Sequence, residues 1–120
     1  MSDGDPEQSG PLAGLTVVEA GSMISAGTVG RFLADFGAEV IKVEHPTTGD
    51  HLRQFGPQKD GVGLWWKYLG RNKKSVTLDI SSEDGQVVFE DLVSEADALV
   101  ENFRPGTLER WNLGYDHLSA

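Results

Sequence analysis

The sequence has no cysteine among its 120 residues, which excludes disulfide bonds and thiolate metal sites. Its three histidines, His45, His51 and His117, are too scattered to form a zinc motif. No apolar run is long enough to cross a membrane, and the first ten residues are acidic and polar, unlike a secretory signal. These absences favour a cytoplasmic protein with no resident metal.

Basic residues are also scarce, with 10 Lys and Arg against 19 Asp and Glu and a net charge of −9. A surface of this sign opposes binding to nucleic acid and to anionic membranes. The exception is residues 65–74 (WWKYLGRNKK), where basic and aromatic side chains lie together. This stretch has two interpretations: a local anion site, or a solvated turn whose aromatic rings pack on the core. Hydrophobic residues make up 38% of the chain, which is typical of a globular domain.

The first half of the chain has the pattern of a strand, a helix and a second strand. Residues 1–10 are predicted to be a disordered acidic tail, and residues 15–19 and 39–43 are predicted strands. Between them lies a loop of small residues at 20–27, after which Val29, Phe32, Leu33 and Phe36 follow the spacing of one apolar stripe on a helix. Gly37 lies where a helix C-cap glycine belongs. Such a unit predicts two parallel strands joined by a right-handed crossover.

The second half repeats this alternation after a long loop at residues 45–63. We expect a helical turn at residues 65–69, a third strand at 75–80 and a helix at 83–96 that is capped by Ser81 or Ser82. A fourth strand, buried on both faces, is expected at 98–101. A short helix at 105–111 is expected to be opened by Pro105 and ended by Gly114. The order predicts an open, mostly parallel, Rossmann-like α/β sheet with flanking helices. Ligands of such sheets bind beyond the carboxyl ends of the strands, here residues 20–27, 44–46, 79–81 and 101–106.

The glycines after the first strand do not match a dinucleotide-binding fingerprint. Gly21, Gly27 and Gly30 lack the required spacing, although Glu44 lies about where a ribose-binding acid would follow. No glycine-rich loop leads to a phosphate-binding lysine either. The sequence therefore argues against a nicotinamide, flavin or P-loop nucleotide site.

The segment VENFRPG at residues 100–106 is the second candidate for chemistry. Asn102 can hydrogen-bond a base or an amide, Phe103 can stack on a planar group, and Arg104 can bind phosphate through two parallel hydrogen bonds. Together they suit a nucleotide-like ligand. Individually, each has a structural alternative: a turn cap, a core aromatic and a surface charge.

Several blocks together make the chain resemble the start of the family III (CaiB/BaiF-type) CoA-transferases, which include formyl-CoA transferase and the carnitine and bile-acid CoA-transferases. The matching blocks are PLAGLTVVE, LADFGAEVIKVE, the Gly49-Asp50 pair with Arg53, NKKSVTLD and ADALVENFRPG. They extend over nearly all of residues 11–120, which the resemblance identifies as the N-terminal part of the family's large domain.

This resemblance implies a site for CoA or acyl-CoA as substrate, with no permanently bound cofactor. His45 lies where the family commonly has an arginine that contacts the nucleotide end, and Ala26-Gly27 replaces a common Gly-Pro pair. An imidazole cannot replace a guanidinium fully, so one charge contact differs. The implied cofactor-binding residues are Met23, Ile24, His45, Leu78, Asp79, Ile80, Ser81, Asn102, Phe103, Arg104 and Arg110.

In the family, an aspartate attacks the acyl-CoA thioester, and CoA passes through enzyme-linked intermediates to a carboxylic acid. The matching aspartate is expected beyond Ala120, so no catalytic residue is assigned here. The resemblance also implies a missing C-terminal portion and an interlocked homodimer when complete. Two alternatives stay open: part of a related acyl-CoA racemase, and a non-catalytic CoA- or nucleotide-binding remnant. Glu101-Asn102-Phe103 favours the transferase, because racemases often have Glu-Gly-Tyr there.

Overall fold

The computed structural model describes residues 9–120, so the tail predicted at residues 1–10 lies outside the described residues except for Ser9 and Gly10. In this part of the chain, no helix is long and apolar enough to cross a membrane. In chain order the elements are β1 (Thr16–Glu19), α1 (Ser25–Asp35), β2 (Glu39–Glu44), a 3-10 helix (His51–Gln54), β3 (Gln58–Lys59), β4 (Val62–Gly63), α2 (Leu64–Leu69), β5 (Lys73–Thr77), α3 (Glu83–Ser94), β6 (Ala98–Val100), α4 (Thr107–Arg110) and α5 (Tyr115–Leu118).

The main sheet is parallel and has the strand order β5-β2-β1-β6, which confirms the predicted fold class. In its centre Val17 lies opposite Val40 on one side and Ala98 on the other. The chain runs outward from β1 to β2 and β5, then returns to place β6 on the free side of β1. This reversal puts a topological switch point between β1 and β6, where the loops that follow them diverge. The short strands β3 and β4 form a separate antiparallel hairpin.

One face of the sheet packs against α3 through an apolar core. Val18 and Val43 point from the sheet toward Phe89 of α3, and Leu113 closes the cluster. Ser82 caps α3 as predicted, because its hydroxyl accepts the Gly85 N–H at 3.0 Å. Phe89 has no exposed surface, so a single aromatic ring anchors the helix.

The other face packs against α1 mainly through small residues; of the predicted apolar stripe, Leu33 packs against the cluster of Val17 and Val40 there. Helix α1 buries Ala26, Gly27, Gly30 and Ala34, whereas Val29, Phe32 and Phe36 are each about half exposed. Small residues let the helix axis approach the sheet closely, which turns the large side chains of the same helix outward. The predicted stripe is therefore only partly covered, and the helix itself and its Gly37 terminus, at φ 107°, are confirmed.

Several predicted boundaries shift. The third strand is Lys73–Thr77 rather than residues 75–80, because the Asp79 carboxylate accepts the Ser81 N–H and hydroxyl and so turns the chain. Helix α1 begins at Ser25, inside the loop expected at residues 20–27. Strand β6 lies at the sheet edge and is exposed at Ala98 rather than buried on both faces. The helix expected at 105–111 is reduced to α4, and Gly114 precedes α5 instead of ending α4.

Candidate ligand site at the carboxyl end of the sheet

A cavity of about 200 Å³ lies beyond the carboxyl ends of β1, β2 and β5. Six of the eleven residues predicted from sequence line it: His45, Leu78, Asp79, Ile80, Ser81 and Phe103. They come from three separate connections, and the parallel sheet brings them together. The Phe103 ring is half-buried and meets the Trp111 ring edge-on at a centroid distance of 5.6 Å. The cavity is therefore a concave site with an aromatic wall and several polar groups.

The polar wall of the cavity is formed by His45, Asp79 and Ser81. The Asp79 Oδ1 atom accepts hydrogen bonds from the Ser81 N–H at 3.0 Å and the Ser81 hydroxyl at 2.5 Å. Its Oδ2 atom lies 3.8 Å from His45 Nε2. The Ser81 hydrogen bonds and the nearby His45 imidazole lower the pKa of Asp79 below its ordinary value. Asp79 thus carries a negative charge at neutral pH, in contact with solvent.

Asn102 lies beside this cavity and holds the β1–α1 loop. Its Oδ1 accepts the Ser22 N–H at 2.9 Å, and its Nδ2 donates to the Ser22 carbonyl at 2.8 Å and the Ser25 hydroxyl at 2.9 Å. A Cβ at Gly21 would lie 2.0 Å from Asn102 Oδ1, so this close approach requires glycine. The amide group of Asn102 is therefore engaged within the protein, and it positions a loop in addition to any ligand contact.

Met23 and Ile24 lie on that loop, outside the lining of the cavity. Met23 has φ 63°, a left-handed conformation that non-glycine residues seldom adopt. Its N–H donates to Asp50 Oδ1 at 3.0 Å. Ile24 is 39% exposed and directly precedes α1. Both residues therefore lie on a tightly held loop, of which the preceding residue Ser22 lines the cavity.

Arg104 and Arg110 do not line the carboxyl-end cavity. Arg104 lies in a second, larger groove of about 460 Å³, which runs between the edge strand β6 and helices α3, α4 and α5. Phe103 borders both spaces. Arg110 is exposed on α4, and its Nη2 atom is 3.3 Å from the Thr107 hydroxyl. Among the residues that the structure describes, no lysine or arginine lines the smaller cavity.

A cluster of buried charges lies under α1, next to the candidate site. Lys42 Nζ is 2.5 Å from Glu19 Oε2 and 2.6 Å from Asp50 Oδ2, and Lys73 Nζ is 2.6 Å from Glu19 Oε1. All four side chains are at most 3% exposed. Burial alone lowers the pKa of Lys42, but Glu19 and Asp50 outweigh it and raise that pKa. For Lys73 burial prevails over Glu19, and its pKa is lowered.

Glu44, at the end of β2, is the centre of a second charged group. Arg53 binds it through two hydrogen bonds of 2.8 Å, from Nε and Nη2. The Ser75 hydroxyl and the Asp50 N–H also donate to it, at 2.5 and 2.9 Å. Burial raises the pKa of Glu44, but the hydrogen bonds from Arg53, Ser75 and Asp50 together lower it from 4.5 to about 2. Glu44 is therefore an ionised structural anchor.

Two features of the site were missed by sequence reasoning. The alternation of charged and apolar residues predicted the strand at residues 39–43 but not the burial of its charges, whereas Lys42 and the neighbouring Glu44 are buried. The basic stretch at residues 65–74 does not gather into one anion site: Lys73 pairs with Glu19, and Lys74 with Glu39 at 2.7 Å. The signal available was the acid at the end of each of the first two strands, Glu19 and Glu44, since a carboxylate there needs a cation when both faces are covered.

Comparisons with known proteins agree on one family. A family model described as CoA-transferase family III matches residues 12–120. The succinyl-CoA–L-malate CoA-transferase beta subunit of Chloroflexus aurantiacus is 51% identical over 91% of this chain and 27% of its own length. The formyl-CoA:oxalate CoA-transferase of Escherichia coli is 38% identical over 92% of this chain and 27% of its own length. A crystal structure of a CAIB/BAIF family protein from Brucella suis superposes with a TM-score of 0.85 at 39% identity, over 93% of this chain and 31% of that one.

Proposed function

Since the chain belongs to CoA-transferase family III, we propose that its sheet supplies part of the CoA-binding site of an enzyme that moves CoA from an acyl-CoA thioester to a carboxylic acid. The chain spans less than a third of the relatives described above, so this activity is proposed for the whole protein. One observation carries the proposal. Residues from the connections after β1, β2, β5 and β6 surround one cavity at the switch point of a parallel sheet, which is where such folds bind nucleotides.

The residues around this cavity would contact different parts of CoA. Phe103 offers an aromatic face for stacking, and Ser81 and His45 offer polar atoms to the nucleotide end. The cavity wall contributes imidazoles but, among described residues, no guanidinium or ammonium. Charge-assisted binding of the CoA phosphates therefore falls to Arg104, in the adjoining groove, and to Arg110. Met23 and Ile24 complete the proposed site from the β1–α1 loop.

No carboxylate of the cavity is assigned as the nucleophile. Glu44 is bound by Arg53 and Ser75, Asp50 is paired with Lys42, and Asp79 accepts two hydrogen bonds from Ser81. Glu44 and Asp50 are thereby held by donors within the fold, and the family resemblance puts the nucleophilic aspartate beyond residue 120. The proposed catalytic aspartate is therefore supplied by another part of the enzyme.

The names of the relatives guide the choice of substrates. The two curated relatives are named for succinyl-CoA with L-malate and for formyl-CoA with oxalate. We accordingly propose a small dicarboxylic acid as one partner of the reaction and CoA as a substrate rather than a permanent cofactor. Residues 11–120 are proposed as the N-terminal part of the family's large domain, in a cytoplasmic enzyme that works as an interlocked homodimer.

Titration calorimetry with CoA on the full-length protein tests the proposed site. Arg104→Ala should weaken binding at least about tenfold, because it removes a charge-assisted phosphate contact worth roughly 1.5–3 kcal/mol. Arg71→Ala is the matched control: Arg71 is also exposed, but it precedes β5 at the opposite end of the sheet. It should change the affinity less than about twofold, since it removes the same charge away from the site.

Two outcomes of this titration would contradict the proposal: a wild-type protein without measurable affinity for CoA, or equal affinities for wild type and Arg104→Ala. Transfer of CoA from succinyl-CoA to a panel of mono- and dicarboxylic acids then tests the reaction. Epimerisation of a 2-methylacyl-CoA without transfer would identify the racemase alternative instead.

A further inference from the structure

The β1–α1 loop is held at two successive backbone amides by side chains that are distant in sequence. The Ser22 N–H donates to Asn102, and the next N–H, that of Met23, donates to Asp50 Oδ1. Met23 has φ 63°, which is unfavourable for a residue with a side chain. Strained backbone of this kind persists only where its surroundings determine it, and it is frequent at ligand sites. The hydrogen bond that Asp50 accepts is therefore donated by the strained residue itself.

Asp50 is fixed in turn by the sheet. It is 2% exposed, and its second oxygen lies 2.6 Å from Lys42 Nζ. Lys42 is paired with Glu19, which is paired with Lys73, and Lys73 Nζ donates to the Gly27 carbonyl in the first turn of α1 at 2.9 Å. A continuous chain of charges thus runs from the loop into the sheet and back to the helix that follows the loop.

Asp50 also connects this loop to the one that follows β2. Its Oδ1 atom accepts the Leu52 N–H at 2.9 Å and so caps the 3-10 helix, and its own N–H donates to Glu44. The neighbouring residues Gly49 and His51 line the carboxyl-end cavity. One carboxylate therefore holds backbone on two sides of the same cavity.

We propose that Asp50 is a positioning residue for CoA, which keeps the β1–α1 loop in its ligand-ready conformation by binding the Met23 N–H. This inference rests on the proposed function for the identity of the ligand. Without the Asp50 acceptor, Met23 returns to ordinary negative φ, and only a fraction of molecules presents the loop as it is here. The apparent dissociation constant for CoA then rises by the inverse of that fraction.

Two double variants of the full-length protein isolate this hydrogen bond from the buried charge. The first combines Lys42→Met with Asp50→Ala, and the second combines Lys42→Met with Asp50→Asn. Both variants carry no charge at these two positions. Only the asparagine variant keeps an oxygen for the Met23 N–H. We expect the Met23 amide hydrogen to exchange at least about tenfold faster in the alanine variant, while the amides of β1 exchange equally in both. The dissociation constant for CoA, measured by calorimetry, should rise by a similar factor.

A rescue experiment applies even where the alanine variant does not fold. In Asp50→Asn alone, Lys42 draws the single side-chain oxygen toward its ammonium and leaves the amide NH₂ group facing the Met23 N–H. Adding Lys42→Met frees that oxygen, so it should slow the exchange of the Met23 amide. A residue with a merely structural role would show added damage instead. Glu39→Gln, which removes a paired carboxylate at the start of β2, is the control and should leave Met23 exchange unchanged.

The outcomes separate the two proposals. Equal Met23 exchange in the two double variants, or no slowing when Lys42→Met is added to Asp50→Asn, overturns the positioning role. A wild-type protein that does not bind CoA overturns the proposed function, whereas the exchange rates measure the loop without any ligand.

Discussion

The two faces of the central sheet differ in the buried residues that they present. Toward α3, Val18 and Val43 meet Phe89 in an apolar core, whereas toward α1 the same strands present a small apolar cluster at Val17 and Val40 and then the charged Glu19, Lys42 and Glu44 at their carboxyl ends. Both sets are buried, and they alternate along β1 and β2 as side chains on a strand must. The comparison shows that alternation of charged and apolar residues does not by itself identify a solvent-exposed face. Here the charged residues lie on the α1 face, beyond a small apolar cluster, and hold loops in place.

The largest difference between the faces should appear in isosteric substitutions. Glu19→Gln keeps the shape of the side chain but leaves two buried ammonium groups short of a counter-charge, and we expect a loss of roughly 3–5 kcal/mol in the free energy of unfolding. Leu113→Met, a volume-conserving change in the apolar core, should cost less than about 1.5 kcal/mol. Urea denaturation of both variants measures this difference. Similar losses of unfolding free energy in the two variants would contradict the expected difference between the faces.

Acid should weaken the polar face selectively. The pKa of Glu44 is about 2 in the folded protein against an ordinary value of 4.5, so the unfolded state binds the proton more tightly. The stabilisation by Glu44 is complete above pH 4.5 and is lost as the pH falls toward 2, by about 3 kcal/mol in all. Urea unfolding at a series of pH values should show this loss in wild type. In Glu44→Gln it should be reduced by that amount; an unchanged pH profile would contradict the assignment.

Two glycines of α1 should respond in opposite directions to alanine. A Cβ at Gly30 would lie 1.9 Å from Glu19 Oε1, so Gly30→Ala forces the helix off the buried carboxylate at a cost of roughly 1–3 kcal/mol. At Gly27 the nearest atom is 3.7 Å away, in Leu69, and alanine should raise stability by about 0.5–1 kcal/mol through its higher helix propensity. Thermal unfolding distinguishes the two, and a stable Gly30→Ala variant would show that α1 can move freely over the charges.

Features set by neighbouring residues were predictable, and features set by distant partners were not. The strands of the main sheet, their parallel arrangement, a cap at Ser81 or Ser82 and the Gly37 terminus follow from local patterns. They are confirmed, with the third strand shifted to Lys73–Thr77 and Ser82 as the cap. The exposure of Phe32 could not be foreseen, because it depends on how closely two glycines let α1 approach the sheet. A helical stripe indicates which side chains share a face, but not which face is covered.

The candidate site shows the same division. His45, the segment at residues 78–81 and Phe103 gather around one cavity because strand order alone places their connections together. Arg104 follows a strand in the same way, yet β6 is an edge strand, and the side chain lies in the groove beside it. The Gly49-Asp50 pair contributed to the family resemblance, but the contacts of Asp50 could not be predicted, because its partners Met23 and Lys42 become neighbours only when the sheet forms.

The contact between Asn102 and Ser22 joins residues 80 positions apart. The ribosome synthesises residue 22 long before residue 102. The β1–α1 loop can therefore form its hydrogen bonds with Asn102 only after most of this chain has been synthesised. Contacts across such long separations form slowly, because the ordering entropy of the intervening chain has to be overcome first. Strand pairing between β1 and β2 can precede this step, whereas the ligand-binding end is completed among the last. A nascent chain that stops short of β6 therefore lacks both the Asn102 contact to the loop and the Phe103 wall of the cavity.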